Sequence, residues 1–417
     1  MSRMLEHAVN GPMKPIEPAA EARRNPRVVN DGYQRHITLL IESSTSWGNN
    51  IVQGIADYAH KYANWIIYFE PRGKYELLEL PAGWHGDGVI ARVTHPRLAR
   101  QLVEENVPAV NVSWYDYEGG AIPRCTTNER ISAEMVAQHF LDRGFKRFAY
   151  CGPRRRPQYC DLFGAAYAER IEQAGHSCHV YSSQLGLEDG APSKEEQYSL
   201  MEWVERLPKP VALLAFSDVR GRQVVEACRQ ASISVPDEVA IMGGEYDQLA
   251  SQISRPRLSS IDLSPHRVGF NAAHLLDNIM SGEQPPSEPL LLPPARILVE
   301  VSTDTLAVDD PLVRRALVYI AAEMHRPITV KHVLANVPTS RRVLEKRFKE
   351  SLGRSPGEEI RRVRIEHAKK LLAETNVTLR QVASECGFFH AEVLSRVFRR
   401  TTGETPSNYR KRVQSSH

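Results

Sequence analysis

The chain has 417 residues, of which 42% are hydrophobic and 25% are charged, and its formal net charge is +3. This composition is typical of a globular protein with two or three domains and excludes a fibrous or collagen-like chain. No apolar run approaches the roughly 20 residues of a membrane span. The six cysteines are scattered, with no C-x-x-C pair. We therefore expect reduced thiols, no metal, no cofactor and a cytoplasmic location.

The first 310 residues predict an α/β body that follows a tail. Residues 1–35 are rich in Pro, Ala, Arg and Glu, lack the apolar core of a signal peptide and predict a disordered tail. From residue 36, short apolar runs alternate with amphipathic helices, which predicts parallel sheets flanked by helices over 36–303. Residues 304–310 are the predicted linker. The predicted strands are 37–41, 65–69, 88–91, 109–112, 148–151, 211–216 and 239–243.

Polar and aromatic side chains gather at the ends of these strands, where parallel sheets bind their ligands. Carboxylates accept hydrogen bonds from hydroxyl groups, and an aromatic face covers the C–H side of a sugar ring, so this set of residues favours a sugar. Two structural alternatives stay open, because Asp218 could cap a helix and Trp47 could be a half-buried core residue. The candidate ligand residues are Trp47, Asn50, Asp87, Arg92, Asp218, Arg220 and Glu245.

Residues 311–417 contain one pattern twice, which predicts an all-α domain with two helix-turn-helix motifs. Each copy has two short apolar stripes separated by a break, followed by a Gly five residues after a Phe and a Pro eight residues after it. A long helix over 357–374 would join the two copies and hold them in a fixed relation. The matching residues are Leu344, Phe348, Gly353 and Pro356 in the first copy and Leu394, Phe398, Gly403 and Pro406 in the second.

Charge separates the two parts of the chain. Residues 311–417 carry 22 Lys and Arg against 10 Asp and Glu, a net charge of +12, whereas the preceding 310 residues carry −9. A basic module on an acidic body is typical of nucleic-acid binding. The alternative for charge alone is a set of solvated arginine-rich helix faces. Together with the repeated motif, the charge favours double-stranded DNA as the partner.

Helical spacing predicts which side chains of the second helix in each motif read DNA. With Val343, Leu344 and Phe348 buried in one copy, and Leu394, Val397 and Phe398 in the other, the opposite face points outward. Arginines there can grip a guanine, a Glu can accept from a cytosine amino group, and the last Arg can hold phosphate. The alternative is that each Glu pairs with an Arg on the helix surface. The predicted DNA-binding residues are Arg341, Arg342, Glu345, Lys346, His390, Glu392, Ser395, Arg396 and Arg399.

The C-terminal hundred residues resemble the AraC/XylS family of bacterial transcription regulators. The resemblance rests on Gly387-Phe388, on the run 395–399, on the run 403–406 and on Tyr409-Arg410. It implies a sequence-specific DNA-binding regulator, most simply an activator that also contacts RNA polymerase. One departure is Phe389-His390, which stands where the family usually has a Ser or Asp that caps the helix.

The body over 36–303 resembles the periplasmic-binding-protein-like sensor domain of the LacI/GalR family. The runs 125–128, 139–144, 216–218, 235–243 and 258–262 carry this resemblance. A sensor of this kind followed by an AraC-type domain is similar to the regulators of xylose operons. The combination implies a homodimer and a sugar-like effector, with xylose as the first guess. Phe163 and Glu245 depart from the sugar-binding pattern, which usually has an Arg and an Asp at these positions.

Two other functions remain open at the level of sequence. The α/β body could process a sugar, with Asp218 and Glu245 as an acid–base pair. Against an enzyme, the chain has no G-x-S-x-G elbow, no phosphate-binding P-loop and no H-E-x-x-H helix, and we expect no catalytic residues. The second alternative is a regulator whose body dimerises and senses no ligand.

Overall fold

The computed structural model describes residues 34–73, 76–81, 83–117, 119–153, 160–183, 194–308 and 310–414. The predicted disordered tail therefore lies outside the described residues, except for its last two positions. Among the described residues, no helix is long and apolar enough to cross a membrane. The same residues contain no group of three or more His, Cys, Asp or Glu placed to hold a metal ion.

The α/β body alternates strands and helices along its whole length. Its elements, in chain order, are β1 (Arg35–Leu40), α1 (Ser46–Tyr62), β2 (Trp65–Phe69), β3 (Gly88–Ala91), α2 (Pro96–Glu104), β4 (Ala109–Asn111), β5 (Cys125–Thr127), α3 (Glu129–Asp142), β6 (Phe148–Cys151), α4 (Leu162–Gln173), β7 (Cys178–Tyr181), α5 (Lys194–Arg206), β8 (Val211–Ala215), α6 (Asp218–Gln230), β9 (Val239–Gly243), α7 (Gln248–Ile253), β10 (Ser259–Asp262), α8 (Pro265–Met280), β11 (Leu290–Leu292) and β12 (Arg296–Leu298).

These elements form two lobes. The first lobe has a parallel sheet of order β2-β1-β3-β4. The second has a six-stranded sheet of order β12-β10-β9-β8-β6-β7, in which β12 alone runs antiparallel to its neighbour. Helix α8 belongs to the first lobe, where it packs on α1, and β5 pairs with β11 beside that lobe. The chain therefore passes between the lobes three times, between β5 and α3, between β10 and α8, and between β11 and β12. The predicted two-lobed α/β architecture with parallel sheets is confirmed.

Burial explains why the central strands are continuous apolar runs. Every residue of β8 and β9 is buried, because helices cover both faces of the second sheet. Phe140 and Tyr167 pack on one face, and Leu200 and Val224 pack on the other. The sheet is thereby rigid, and the loops after its strands are held at one edge.

The helical domain consists of α9 (Pro311–Glu323), α10 (Val330–Asn336), α11 (Arg341–Leu352), α12 (Pro356–Glu374), α13 (Leu379–Glu385), α14 (Ala391–Thr402) and α15 (Pro406–Gln414). The two predicted helix-turn-helix motifs are confirmed as α10–α11 and α13–α14, with α12 as the long helix between them. The repeated Gly and Pro have a physical reason. Gly353 and Gly403 end α11 and α14 at φ of 71° and 82°, and Pro356 and Pro406 begin the helices that follow.

Arg364 of α12 holds the two motifs together. Its guanidinium donates to the main-chain oxygens of Met324, Arg326 and Ile328, which lie between α9 and α10, and it stacks on Phe388 before α14. Gly387 fits against the same loop, since a Cβ at this position would lie 2.4 Å from the oxygen of Arg326. The relation between α11 and α14 is therefore fixed by hydrogen bonds as well as by the length of α12.

Candidate ligand cleft and nucleic-acid interface

A buried ion pair lies at the carboxyl edge of the first sheet. Glu42 follows β1 and Arg92 follows the adjacent β3, so their side chains meet, and both residues are less than 10% exposed. The Arg92 guanidinium lies 4.8 Å from the ring of Trp47 and 5.5 Å from that of Trp114. Burial opposes the charge of Arg92, but the carboxylates of Glu42 and Glu245 outweigh it and raise its pKa.

Three buried polar atoms of this cluster have no hydrogen-bond partner among the described residues. They are Glu42 Oε2, Trp47 Nε1 and Arg92 Nε. A buried polar group without a partner costs about 1–3 kcal/mol, so such groups are rare unless something binds them. One acceptor and two donors under an aromatic surface are the groups that a polyhydroxylated ligand satisfies.

Residues of the second lobe face this cluster across a cleft. Glu245 follows β9, Phe216 follows β8 and Leu263 follows β10, so the parallel sheet brings them to one edge. The cavity between the lobes is about 20 Å³, room for about one water molecule, so it is too small for a sugar in this arrangement of the lobes. Its wall comprises Trp114, Thr127, Glu129, Ser132, Phe163, Phe216, Gly244, Glu245 and Leu263.

Glu245 is the charged group that the second lobe presents to Arg92. It is half-buried and forms no hydrogen bond or ion pair with the described residues, yet its charge acts on Arg92 of the other lobe. A larger groove of about 290 Å³ lies between α5 and α6. Residues of the second lobe alone line that groove, so a ligand there would not connect the lobes.

The assignment of Asp218 to the ligand site needs correction. Asp218 is fully buried, and its carboxylate accepts hydrogen bonds from Ser260 Oγ at 2.6 and 2.7 Å and from the Asp247 amide at 3.0 Å. Gly243 is required beside it, because a Cβ there would lie 1.9 Å from Asp218 Oδ1. Burial raises the pKa of Asp218 well above its usual value. Asp218 therefore joins β10 to the loop after β9, beneath the cleft wall.

Three more predicted ligand residues lie away from the cleft. Arg220 is buried in an ion pair with Glu196 at 3.0 Å and is absent from the cleft wall. Asn50 is exposed and donates to Ser46 of its own helix. Asp87 accepts from the His36 amide at the amino edge of the first sheet, because it precedes β3 instead of following it.

The list of predicted ligand residues omits Glu42 and Trp114, which the structure places beside Trp47 and Arg92. Both come directly after predicted strands, so a rule that takes the first polar or aromatic residues after each strand finds them. Phe163 lies on the cleft wall opposite Trp114 and is 4% exposed. The two positions that depart from the family pattern, Phe163 and Glu245, thus line the same cleft.

The second helix of the first motif, α11, presents a cationic outer face. Ser340 caps it by accepting from the Val343 amide, and Arg341, Arg342 and Lys346 are exposed. Arg341 Nε donates to Glu345 at 2.8 Å, so Glu345 pairs on the helix surface, with Arg341 as its partner. The prediction that Val343 is buried is wrong. It is 39% exposed, because Leu344, Phe348 and Leu352 at helical spacing form the buried stripe.

The second helix of the second motif, α14, buries Leu394 and Phe398 and exposes the opposite side. His390 stands at its N-cap without a side-chain cap bond. His390, Glu392, Arg396 and Arg399 are exposed, and Ser395 is half-buried. Within the described part of the chain, Arg342, Arg396 and Arg399 form no ion pair, so their guanidinium groups are available to an anionic partner.

Comparisons with known proteins agree with both halves of the structure. The family model for the XylR N-terminal domain matches residues 36–124, that for the periplasmic binding protein-like domain matches 137–303, and that for a helix-turn-helix domain matches 334–412. The chain is 28% identical over 385 residues to the xylose operon regulatory protein of Escherichia coli K12, and 27% identical over 384 residues to that of Haemophilus influenzae. Each alignment covers 90% of this chain and 97% of the relative.

A solved structure described as the xylose-binding transcription activator XylR matches with a TM-score of 0.59 and 27% identity. The match covers 91% of this chain and 98% of the other. The chain therefore has a periplasmic binding protein-like α/β body followed by a helical domain of the helix-turn-helix class. Over nearly its whole length the chain is XylR-like, similar to proteins that are named as transcription regulators.

Proposed function

We propose that this protein is a DNA-binding transcription regulator whose affinity for its operator is set by a small sugar held between the two lobes. The observation that carries the proposal is the buried pair of Glu42 and Arg92, which lies against two indole rings and faces Glu245 of the other lobe. The first candidate for the effector is xylose.

The chemistry of the cleft fits a monosaccharide. Carboxylates at Glu42 and Glu245 accept hydrogen bonds from sugar hydroxyls, and the Arg92 guanidinium donates to ring or hydroxyl oxygens. The indole of Trp114 offers an apolar face to the C–H side of the ring. Phe163 supplies no hydrogen bonds on the opposite wall, so the polar recognition falls mainly on the first lobe and on Glu245.

A ligand that touches both lobes favours their closed arrangement, because it gains contacts from the second lobe only when the lobes approach. Glu245 and Arg92 attract each other across the cleft, and a sugar between them would use both groups. The names of the relatives support xylose and activation, which we extend to this chain as part of the proposal. We also infer a cytoplasmic homodimer that assembles through the α/β body, because regulators of this plan occupy paired half-sites, and that contacts RNA polymerase.

The binding test is a calorimetric and thermal-shift screen of the full chain against pentoses, hexoses and polyols. A ligand at one hundred times its Kd stabilises the protein by about 2.7 kcal/mol, which moves the melting temperature measurably. We expect a pentose to produce the largest shift. If no sugar produces one, the body only dimerises and the ligand half of the proposal fails. Product analysis of the same mixtures tests the enzyme alternative, and we expect every sugar to be recovered unchanged.

A further inference from the structure

One helix runs from the cleft to the DNA-binding domain. Helix α3 begins with Glu129 on the cleft wall, where Asn128 caps it by accepting from the Ile131 amide at 3.0 Å. It continues without a break for 14 residues, about 20 Å, and ends at Asp142. Ser132 in its first turn also lines the cleft. A displacement at the cleft end would therefore be carried to Asp142 by a rigid element.

Arg354 joins the end of α3 to the end of a reading helix. Its guanidinium donates to the main-chain oxygen of Asp142, to Asp142 Oδ1 at 3.4 Å and to the oxygen of Leu352 at 3.3 Å. Leu352 is the last residue of α11. A single side chain thus connects the last turn of the helix from the sensor with the last turn of the helix that reads DNA.

The surroundings of Arg354 make this contact more than a surface ion pair. Glu359, whose side chain is 2% exposed, accepts from Arg354 Nε and, through both oxygens, from Arg362 at 2.8 and 2.9 Å. Burial opposes the charge of Glu359, but the two arginines outweigh it and lower its pKa. Charged hydrogen bonds in a buried network are stronger than exposed pairs, which contribute little.

Apolar packing also contributes to the contact between the end of α3 and the end of α11. Leu352 lies against Gly144, two residues beyond α3, where a Cβ would be 3.2 Å from Leu352 Cδ2. Gly144 has a φ of 82°, a conformation that other residues rarely adopt. The close approach of the two chains therefore depends on a glycine, and α3 and α11 are held end to end by packing as well as by Arg354.

We propose that Asp142 and Arg354 are positioning residues through which the state of the cleft sets the orientation of α11 on DNA. This inference rests on the proposed function, because it assumes an effector in the cleft. Neither residue touches the cleft, and both lie at the end of α11 that is opposite its capped N-terminus. Coupling between two sites is reciprocal and commonly amounts to 5–150-fold in affinity, so loss of this contact should remove most of that factor.

The experiment compares full-length variants for operator binding with and without saturating D-xylose, and for xylose binding without DNA. Arg354→Ala should bring the ratio of the two operator Kd values close to one, while the xylose Kd stays within about twofold of the parent. Asp142→Asn should lower the ratio only in part, because the main-chain oxygen of residue 142 still accepts from Arg354. Arg354→Lys keeps the positive charge, so its ratio of operator Kd values with and without xylose should lie between those of Arg354→Ala and the parent. The matched controls are Arg361→Ala on α12 and Glu134→Gln on α3, both exposed, which should keep the ratio of the parent. A parental ratio in Arg354→Ala would overturn the proposal.

A second measurement needs no sugar and separates this inference from the proposed function. In calorimetric unfolding we expect the sensor and the helical domain of the parent to unfold together, and Arg354→Ala to unfold its helical domain at a lower temperature. Identical traces for Arg354→Ala and Arg361→Ala would show that the contact does not join the domains, and the inference would fail. If no sugar alters operator binding by the parent, the proposed function fails, and the calorimetric comparison still decides the contact.

Discussion

Arg342 and Arg396 provide the sharpest prediction for DNA recognition. Both are exposed on the outer faces of α11 and α14, and neither forms an ion pair with the described residues. A bidentate contact to guanine contributes about 1–3 kcal/mol of discrimination, so replacing either residue by Ala should weaken operator binding by roughly 5- to 150-fold. The loss should be confined to one base pair for each variant, because an arginine in bidentate contact with guanine reads one base edge.

Arg399 and Arg341 serve as comparisons. Arg399, in the last turn of α14, should hold phosphate. Arg399→Ala should therefore weaken binding to all DNA sequences alike, and it should reduce the slope of log Kd against log salt concentration by about one. Arg341 already pairs with Glu345 at 2.8 Å, so Arg341→Ala should have the smallest effect.

The assay for all four variants starts from an operator that the full chain selects from a random library. Binding of each variant to all single-base changes of this operator is then measured by fluorescence anisotropy at about 50 and 200 mM salt. Base-specific losses for Arg342→Ala and Arg396→Ala are expected. Equal losses at every base would mean that these arginines hold phosphate, and our assignment of the reading face would be refuted.

Three further substitutions test other parts of the structure. Glu245→Gln should weaken sugar binding by about 1.5–3 kcal/mol, the contribution of a charged hydrogen bond, whereas the exposed control Asn50→Ala should not, and equal affinities would remove Glu245 from the site. Burial raises the pKa of Asp218, so the folded protein should lose stability as the pH rises above the ordinary aspartate pKa of about 3.9. In urea unfolding, Asp218→Asn should lack this dependence of the free energy of unfolding on pH. The same pH dependence in the parent and the variant would contradict the assignment. Arg364→Met should lower the melting temperature and weaken binding to the full operator, and an unchanged affinity would mean that Arg364 does not fix the two motifs.

The ligand cleft was only partly predictable from the sequence. The order of the strands alone places Arg92 and Glu245 at the carboxyl ends of their strands, so these two residues could be predicted without side-chain geometry. Strand order is not enough for Asp218. Ser217 caps helix α6, and the side chain of Asp218 turns beneath the cleft wall toward Ser260. The same rule argues against Asp87, which precedes its strand.

The DNA-binding domain was more predictable, because its repeat fixes both the element types and their order. The repeat does not show which residue of the first turn is buried, so it did not predict that Val343 is exposed. The contact between Asp142 and Arg354 joins residues 212 positions apart. No local pattern in the sequence indicates such a pair, since it depends on how the two domains meet.

Operator binding by the full chain, measured with and without D-xylose, tests the central claim most directly. We expect saturating D-xylose to change the operator Kd at least about fivefold, the lower end of ordinary allosteric coupling. Glu245→Gln should require a higher xylose concentration for the same change. An operator Kd that stays the same at saturating xylose, and with every other pentose, hexose and polyol, would contradict the account.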